Sequence, residues 1–182
     1  MRLSDNDGKR FYDCWLPLLD YVNEKRGVNS NLRDIRLSDN LDPKEVKEVS
    51  DVLWEDVSLI DEYLEVSEDI NDKDRELIQS WKQCISGRFI LERILKKGAI
   101  LISVEDEKVY QVSGIISSWD EMFGFARLPL MIHATLIPFG DVIISDGLIQ
   151  TYNIIIGRNM TREFKDIYMK AKGDRLVCRK LI

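Results

Sequence analysis

The sequence predicts an α+β protein, a helical N-terminal half joined to a β-rich C-terminal half. Two observations predict it. The hydrophobic period changes from 3.6 to 2 after Gly87. The charge changes at nearly the same place. Residues 1–80 carry 11 basic and 21 acidic side chains, and residues 81–182 carry 15 and 11, so the total of −6 is a −10 half and a +4 half. We therefore place a helical region at residues 1–87 and a β-rich region at residues 88–182.

The first helix is read from Phe11, Trp15, Leu18, Leu19 and Val22, which recur at three- and four-residue steps. Pro17 lacks a backbone donor and crowds the preceding turn, so it should kink this helix or start another. Gly27 supplies the stop, and residues 28–41 read as irregular. Asp42-Pro43-Lys44-Glu45 is a helix start, with a cap, a proline at the first position and a glutamate reaching back. Val46, Val49, Leu53, Val57, Ile60 and Leu64 then make one stripe, which fits one long helix or two broken near residues 54–58. Asn71-Asp72-Lys73-Asp74 starts the next helix, buried through Leu77, Ile78, Trp81 and Ile85, and Ser86-Gly87 should end it.

Beyond Gly87, residues 88–95, 99–104 and 109–116 read as short strands separated by charged turns. Ser117 or Ser118 caps a short helix over residues 119–123. Strands resume at residues 129–137 and 142–145, with turns at Phe139-Gly140-Asp141 and Asp146-Gly147, and residues 148–150 and 152–156 can add more. A helix at about residues 160–172, capped by Asn159 or Thr161, carries Phe164, Ile167, Tyr168 and Ala171 on one face. Residues 175–182 read as a final strand. The helical half is expected to pack on a small β-barrel-like or strongly bent antiparallel sheet, because closure removes exposed edges.

The inventory excludes most catalytic templates. One histidine, His133, rules out multi-histidine metal centres, and no phosphate-cradling glycine loop or nucleophile elbow is present. Asp69–Asp74 resembles a Ca²⁺ loop but has Lys73 at the fifth position and Asp74 where the turn glycine belongs. No cofactor and no metal are expected. Cys14, Cys84 and Cys178 are odd in number and far apart, so they read as free thiols in a reducing cytoplasm. The N-terminus has no apolar leader core, and no run approaches a membrane span.

Three functional readings follow. The leading one is a non-enzymatic protein-binding module, with a protein partner or a second copy docking on Trp119, Met122, Phe123, Phe125 and Arg127, residue types enriched where partners meet. The second is a nucleic-acid-binding small barrel using Arg88, Arg93, Arg158, Arg162, Lys165 and Lys172 on phosphates, although +4 is a weak basic footprint. The third is a hydrolase using Glu92, His133 or Asp146, in which His133 as a base would pair with Asp146 or Asp141. Alternation puts Leu130, Ile132, Ala134 and Leu136 on the core face of their strand and His133 on the other. It also turns Glu92 and Arg93 to opposite faces, so that one needs a buried partner.

Several stretches also resemble a group of uncharacterised bacterial proteins. They are residues 53–55 and 60–63, Trp81, residues 89–97, 109–114 and 136–148, Tyr152-Asn153 and Gly157. The resemblance implies a helical half followed by a β half. It implies no activity, so it carries over no catalytic residue.

Overall fold

The computed structural model describes residues 1–32, 34–35 and 41–181. It is an α+β protein whose order is four helices, three strands, a short helix, three strands and a last helix. Its contacts divide it into two units, residues 6–82, and residues 1–5 with 83–182.

In the helical unit, α1 (Asp5–Arg26) runs unbroken through Pro17. Phe11, Trp15, Leu18, Leu19 and Val22 are buried as their spacing requires. The stripe from Val46 to Leu64 is two helices, α2 (Pro43–Glu55) and α3 (Ser58–Val66). Asp56 separates them. Its backbone N–H closes the end of α2 on the Val52 carbonyl, while its carboxylate accepts from the Ser58 N–H and hydroxyl. α2 begins where Asp42 accepts the Lys44 N–H at 2.9 Å, as its start signal predicts. In α4 (Asp72–Ser80), Asn71 accepts the Asp74 N–H at 3.1 Å. Trp15 stacks on Trp54 at 5.3 Å and meets Trp81 edge-on at 5.7 Å, an indole cluster joining α1, α2 and the turn after α4.

α4 stops at Ser80, earlier than Ser86-Gly87. A single 3-10 turn, Trp81–Gln83, follows, and β1 (Ile85–Leu95) has already begun. Gly87 is inside that strand, paired with Ala134. A glycine in a helix-to-strand transition therefore marks a strand position here and no helix stop.

The remaining strands are β2 (Gly98–Ser103), β3 (Val109–Ser113), β4 (Leu130–Phe139), β5 (Val142–Ser145) and β6 (Gln150–Thr151). β1 pairs with both β2 and β4, β2 with β3, β3 with β5, and β5 with β4, so the pairings form a ring of five strands with β6 added beside β4. The sheet is mixed, because β3 and β5 run parallel over two residue pairs. Both ends of the chain lie along β3 near that short seam. Leu3 donates to the Gly114 carbonyl, and Cys178 donates to Val109 and accepts from Gln111. The final strand expected over residues 175–182 is only this bridge at Cys178, and Ile182 lies outside the described residues.

Strand alternation sorts the apolar residues into two cores. Phe89, Leu91, Leu101, Val112, Ile132, Ala134, Leu136 and Ile143 fill one, with Trp119 among them. Ile90, Ile100, Ile102 and Val109 point the other way, and α6 (Arg158–Gly173) covers them with the predicted face of Phe164, Ile167, Tyr168 and Ala171. α6 starts at Gly157 with no side-chain cap, so neither Asn159 nor Thr161 plays the expected role. Among the described residues no helix is long and apolar enough to cross a membrane.

Candidate functional site

Two segments of the β unit meet at the site. One is the connection from α5 (Trp119–Phe123) into β4. Ser118 and Glu121 cap α5 reciprocally, each side chain bonding the other's backbone N–H. Gly124 ends the helix on the Asp120 carbonyl at 2.8 Å, and Ala126 bonds back to Phe123 at 2.9 Å. This tight ending turns Phe125 and Arg127 outward, and Pro129 leads into the strand. The second segment follows β6. The Tyr152 N–H donates to the Met131 carbonyl at 3.0 Å and the Ile154 N–H to Tyr152 at 2.9 Å, which bends the chain toward Gly157 and α6. Ile156 packs into the outer core while Ile154 and Ile155 remain exposed.

A groove of about 550 Å³ lies between them. Arg127, Leu128 and Pro129 form one wall, and residues 154–158 with Thr161 form the other. The walls are apolar, with one arginine on each side and no carboxylate among the lining residues. Phe125, two residues before Arg127, is 99% exposed and Ile155 is 88% exposed. Met122 and Met160 are also exposed nearby in sequence. Ile154 and Ile155 are adjacent exposed apolar side chains on the groove wall, and contiguous exposed apolar surface marks a contact surface more often than scattered single side chains do.

The structure splits the expected aromatic patch. Trp119 is 1% exposed and belongs to the core, with Phe123 stacked against it at 5.6 Å. Within α5, Trp119 and Phe123 are four residues apart and share the packed side while Met122 faces solvent; Phe125 and Arg127, past the end of the helix, are exposed as well.

The basic candidates divide as well. Arg93 is held by Glu92 through two nitrogens, with Nη2 at 2.8 Å, and its guanidinium lies 4.5 Å over the Tyr168 ring. Alternation fails at this pair because the register shifts between Leu91 and Arg93, leaving Glu92 as the extra residue of a β-bulge. Each residue supplies the partner the other needs. Arg158, Arg162, Lys165 and Lys172 are exposed and fall at steps of four, three and seven, one stripe along α6. Arg88 is exposed on β1, opposite His133.

The hydrolase candidates are spread along β4. Glu92 lies one residue beyond the Leu91–Leu130 pair, whereas Asp146 hydrogen-bonds Thr135 through its backbone. Those positions are roughly 20 Å apart along the strand. The Asp146 carboxylate accepts the Leu148 N–H at 3.1 Å within its own turn, and Asp141 pairs with Lys180 at 2.9 Å. Burial pushes the Cys14 thiol up to about 12, with Asp74 adding to the effect, so at neutral pH it is a packed thiol and no nucleophile. Burial also raises the Cys84 thiol. No group of metal-ligating side chains occurs among the described residues.

The isoleucine wall was readable only as a further strand over residues 152–156. The overlooked signal is Ile154-Ile155-Ile156 itself, since three consecutive apolar residues between Asn153 and Gly157 cannot all face one core. Comparison with protein-family models, with curated proteins and with solved structures finds no match to this chain. Geometry alone therefore supports the functional reading.

Proposed function

We propose that this chain is a non-enzymatic protein-binding module that docks its partner in the groove between residues 127–129 and 154–158. The carrying observation is an apolar, arginine-flanked groove with Ile155 on one wall and Phe125 two residues before the other, both side chains almost fully in solvent. Leaving two large apolar side chains uncovered is unfavourable by roughly 1.5–3 kcal/mol each relative to burial, and docking recovers that term. Photo-cross-linking tests the proposal. A photoreactive residue replacing Phe125 or Ile155 should capture one defined protein, and the same residue at exposed Val104 should not. Ile155→Asp should abolish capture at position 125. Equal capture from all three positions would refute the site.

A second reading, nucleic-acid binding, draws on the α6 stripe. Its support is the alignment of Arg158, Arg162, Lys165 and Lys172, set against Glu163 and Asp166 on the same helix. The β unit carries 15 basic and 12 acidic side chains, a weak field for a polyanion. Mixed single-stranded oligonucleotides that fail to bind even at low salt remove this reading.

A further inference from the structure

We infer that the occupant of the groove is an extended acidic–apolar peptide segment of a partner protein, added as a strand along β6. This rests on the docking reading above and names its partner chemistry. Three observations carry it.

The first is charge complementarity. Arg127 and Arg158 stand on opposite walls, and the lining contains no carboxylate. Neither arginine makes an ion pair with a described residue, whereas Arg2, Arg10, Arg26 and Arg93 all do. Guanidiniums flanking an apolar floor favour a ligand that brings apolar side chains and carboxylates together. A basic segment is repelled by the same pair.

The second is the open edge. Among the described strands β6 is the last, paired with β4 alone. The Tyr152 N–H points at β4, so by alternation the backbone groups of Thr151, the last residue of β6, point away from it. Thr151 is exposed, so these groups can pair with an incoming strand.

The third is continuity. Two residues after β6 ends, past the bend at Tyr152–Ile154, the same chain becomes the groove wall at Ile154 and Ile155. A strand laid on Gln150–Thr151 that follows the chain into that wall brings its next side chains to the apolar walls and its carboxylates to the two arginines.

The test is fluorescence anisotropy on the full chain with labelled peptides of about ten residues. One alternates glutamate with isoleucine, one replaces glutamate with lysine, and one replaces isoleucine with serine. The acidic–apolar peptide should bind at least about tenfold more tightly than either control. Its affinity should fall with salt, and Arg127→Ala with Arg158→Ala should cost about a further tenfold, largely restored by lysine at both positions. N-methylating alternate peptide amides should weaken binding, as strand addition requires. Equal binding of the lysine peptide, or no effect of the double alanine variant, overturns the inference. If Ile155→Asp still abolishes binding in that case, the docking reading survives alone. No binding by any peptide up to about 1 mM would remove both. Dimers in sedimentation that the double alanine variant dissolves would make a second copy the occupant and overturn the inference. Displacement of the peptide by a single-stranded oligonucleotide would do the same in favour of a polyanion.

Discussion

Trp119→Ala and Phe125→Ala should separate cleanly, although the two rings lie only six residues apart. Trp119 is 1% exposed, packs with Leu91, Val112 and Ile132 in the inner core, and stacks on Phe123 at 5.6 Å. Truncating a fully buried indole removes its transfer free energy and leaves a cavity, together about 3–5 kcal/mol. Losing the ring–ring contact accounts for about 0.5–1.5 kcal/mol of such a change. Phe125 is 99% exposed, so its truncation should stay within about 0.5 kcal/mol. Urea denaturation followed by far-UV circular dichroism measures both. A β unit of this size melting as its own transition should lose about 12–20 °C on Trp119→Ala and about 2 °C or less on Phe125→Ala. The partner-binding consequence is reversed, because Phe125→Ala should weaken docking in a folded protein. A Trp119→Ala variant within about 1 kcal/mol of wild type, or a Phe125→Ala variant costing more than Trp119→Ala, would refute the division of this segment into core and surface.

Other perturbations report on the two units. Gly98 has a φ of +121°, and an added Cβ would lie 2.4 Å from the Val112 carbonyl oxygen, so Gly98→Ala should cost at least about 2 kcal/mol in a denaturant titration. Gly140, at +58° with open space around it, should tolerate alanine for about 1 kcal/mol. Asp74 is pushed up by burial, but hydrogen bonds from Arg10, at 2.6 Å, and Asn71 outweigh that and hold its carboxyl below the usual range. A depressed carboxyl contributes stability that is present above its unfolded value of about 3.9 and lost as pH falls through its folded value. Stability should therefore decline below about pH 4, less steeply in Arg10→Ala, as followed by acid titration of the helical signal. Cys14 should resist iodoacetamide in the native protein and react on unfolding, as read by mass spectrometry of the alkylated peptides.

Much of this fold was legible because local signals agreed with the global packing. The caps at Asp42, Asn71 and Ser118 each accept the N–H that their position predicts. The apolar face of α6 and the inward residues of β4 follow from period alone. The misses share one physical cause, which is that pairing partners come from distant sequence. Gly87 is a strand residue because Ala134 lies opposite it, and Glu92 meets Arg93 because a bulge against β2 breaks alternation. The parallel contact of β3 with β5 and the ends of the chain along β3 have no local signature. Of the five residues of the expected patch, Met122, Phe125 and Arg127 are exposed as a docking surface requires, whereas Trp119 belongs to the core and Phe123 stacks on it. The opposite wall, Ile154 and Ile155, required the structure, because composition does not reveal which member of an isoleucine run is left uncovered.

The proposed docking groove is tested most directly by amide chemical-shift mapping of the ¹⁵N-labelled full chain with the glutamate–isoleucine peptide. The account predicts saturable shifts at residues 125–131 and 150–161, absent in Ile155→Asp and small in the Arg127→Ala, Arg158→Ala variant. Shifts centred on residues 41–80 instead, or no saturable shift beside Ile154 and Ile155, would contradict it.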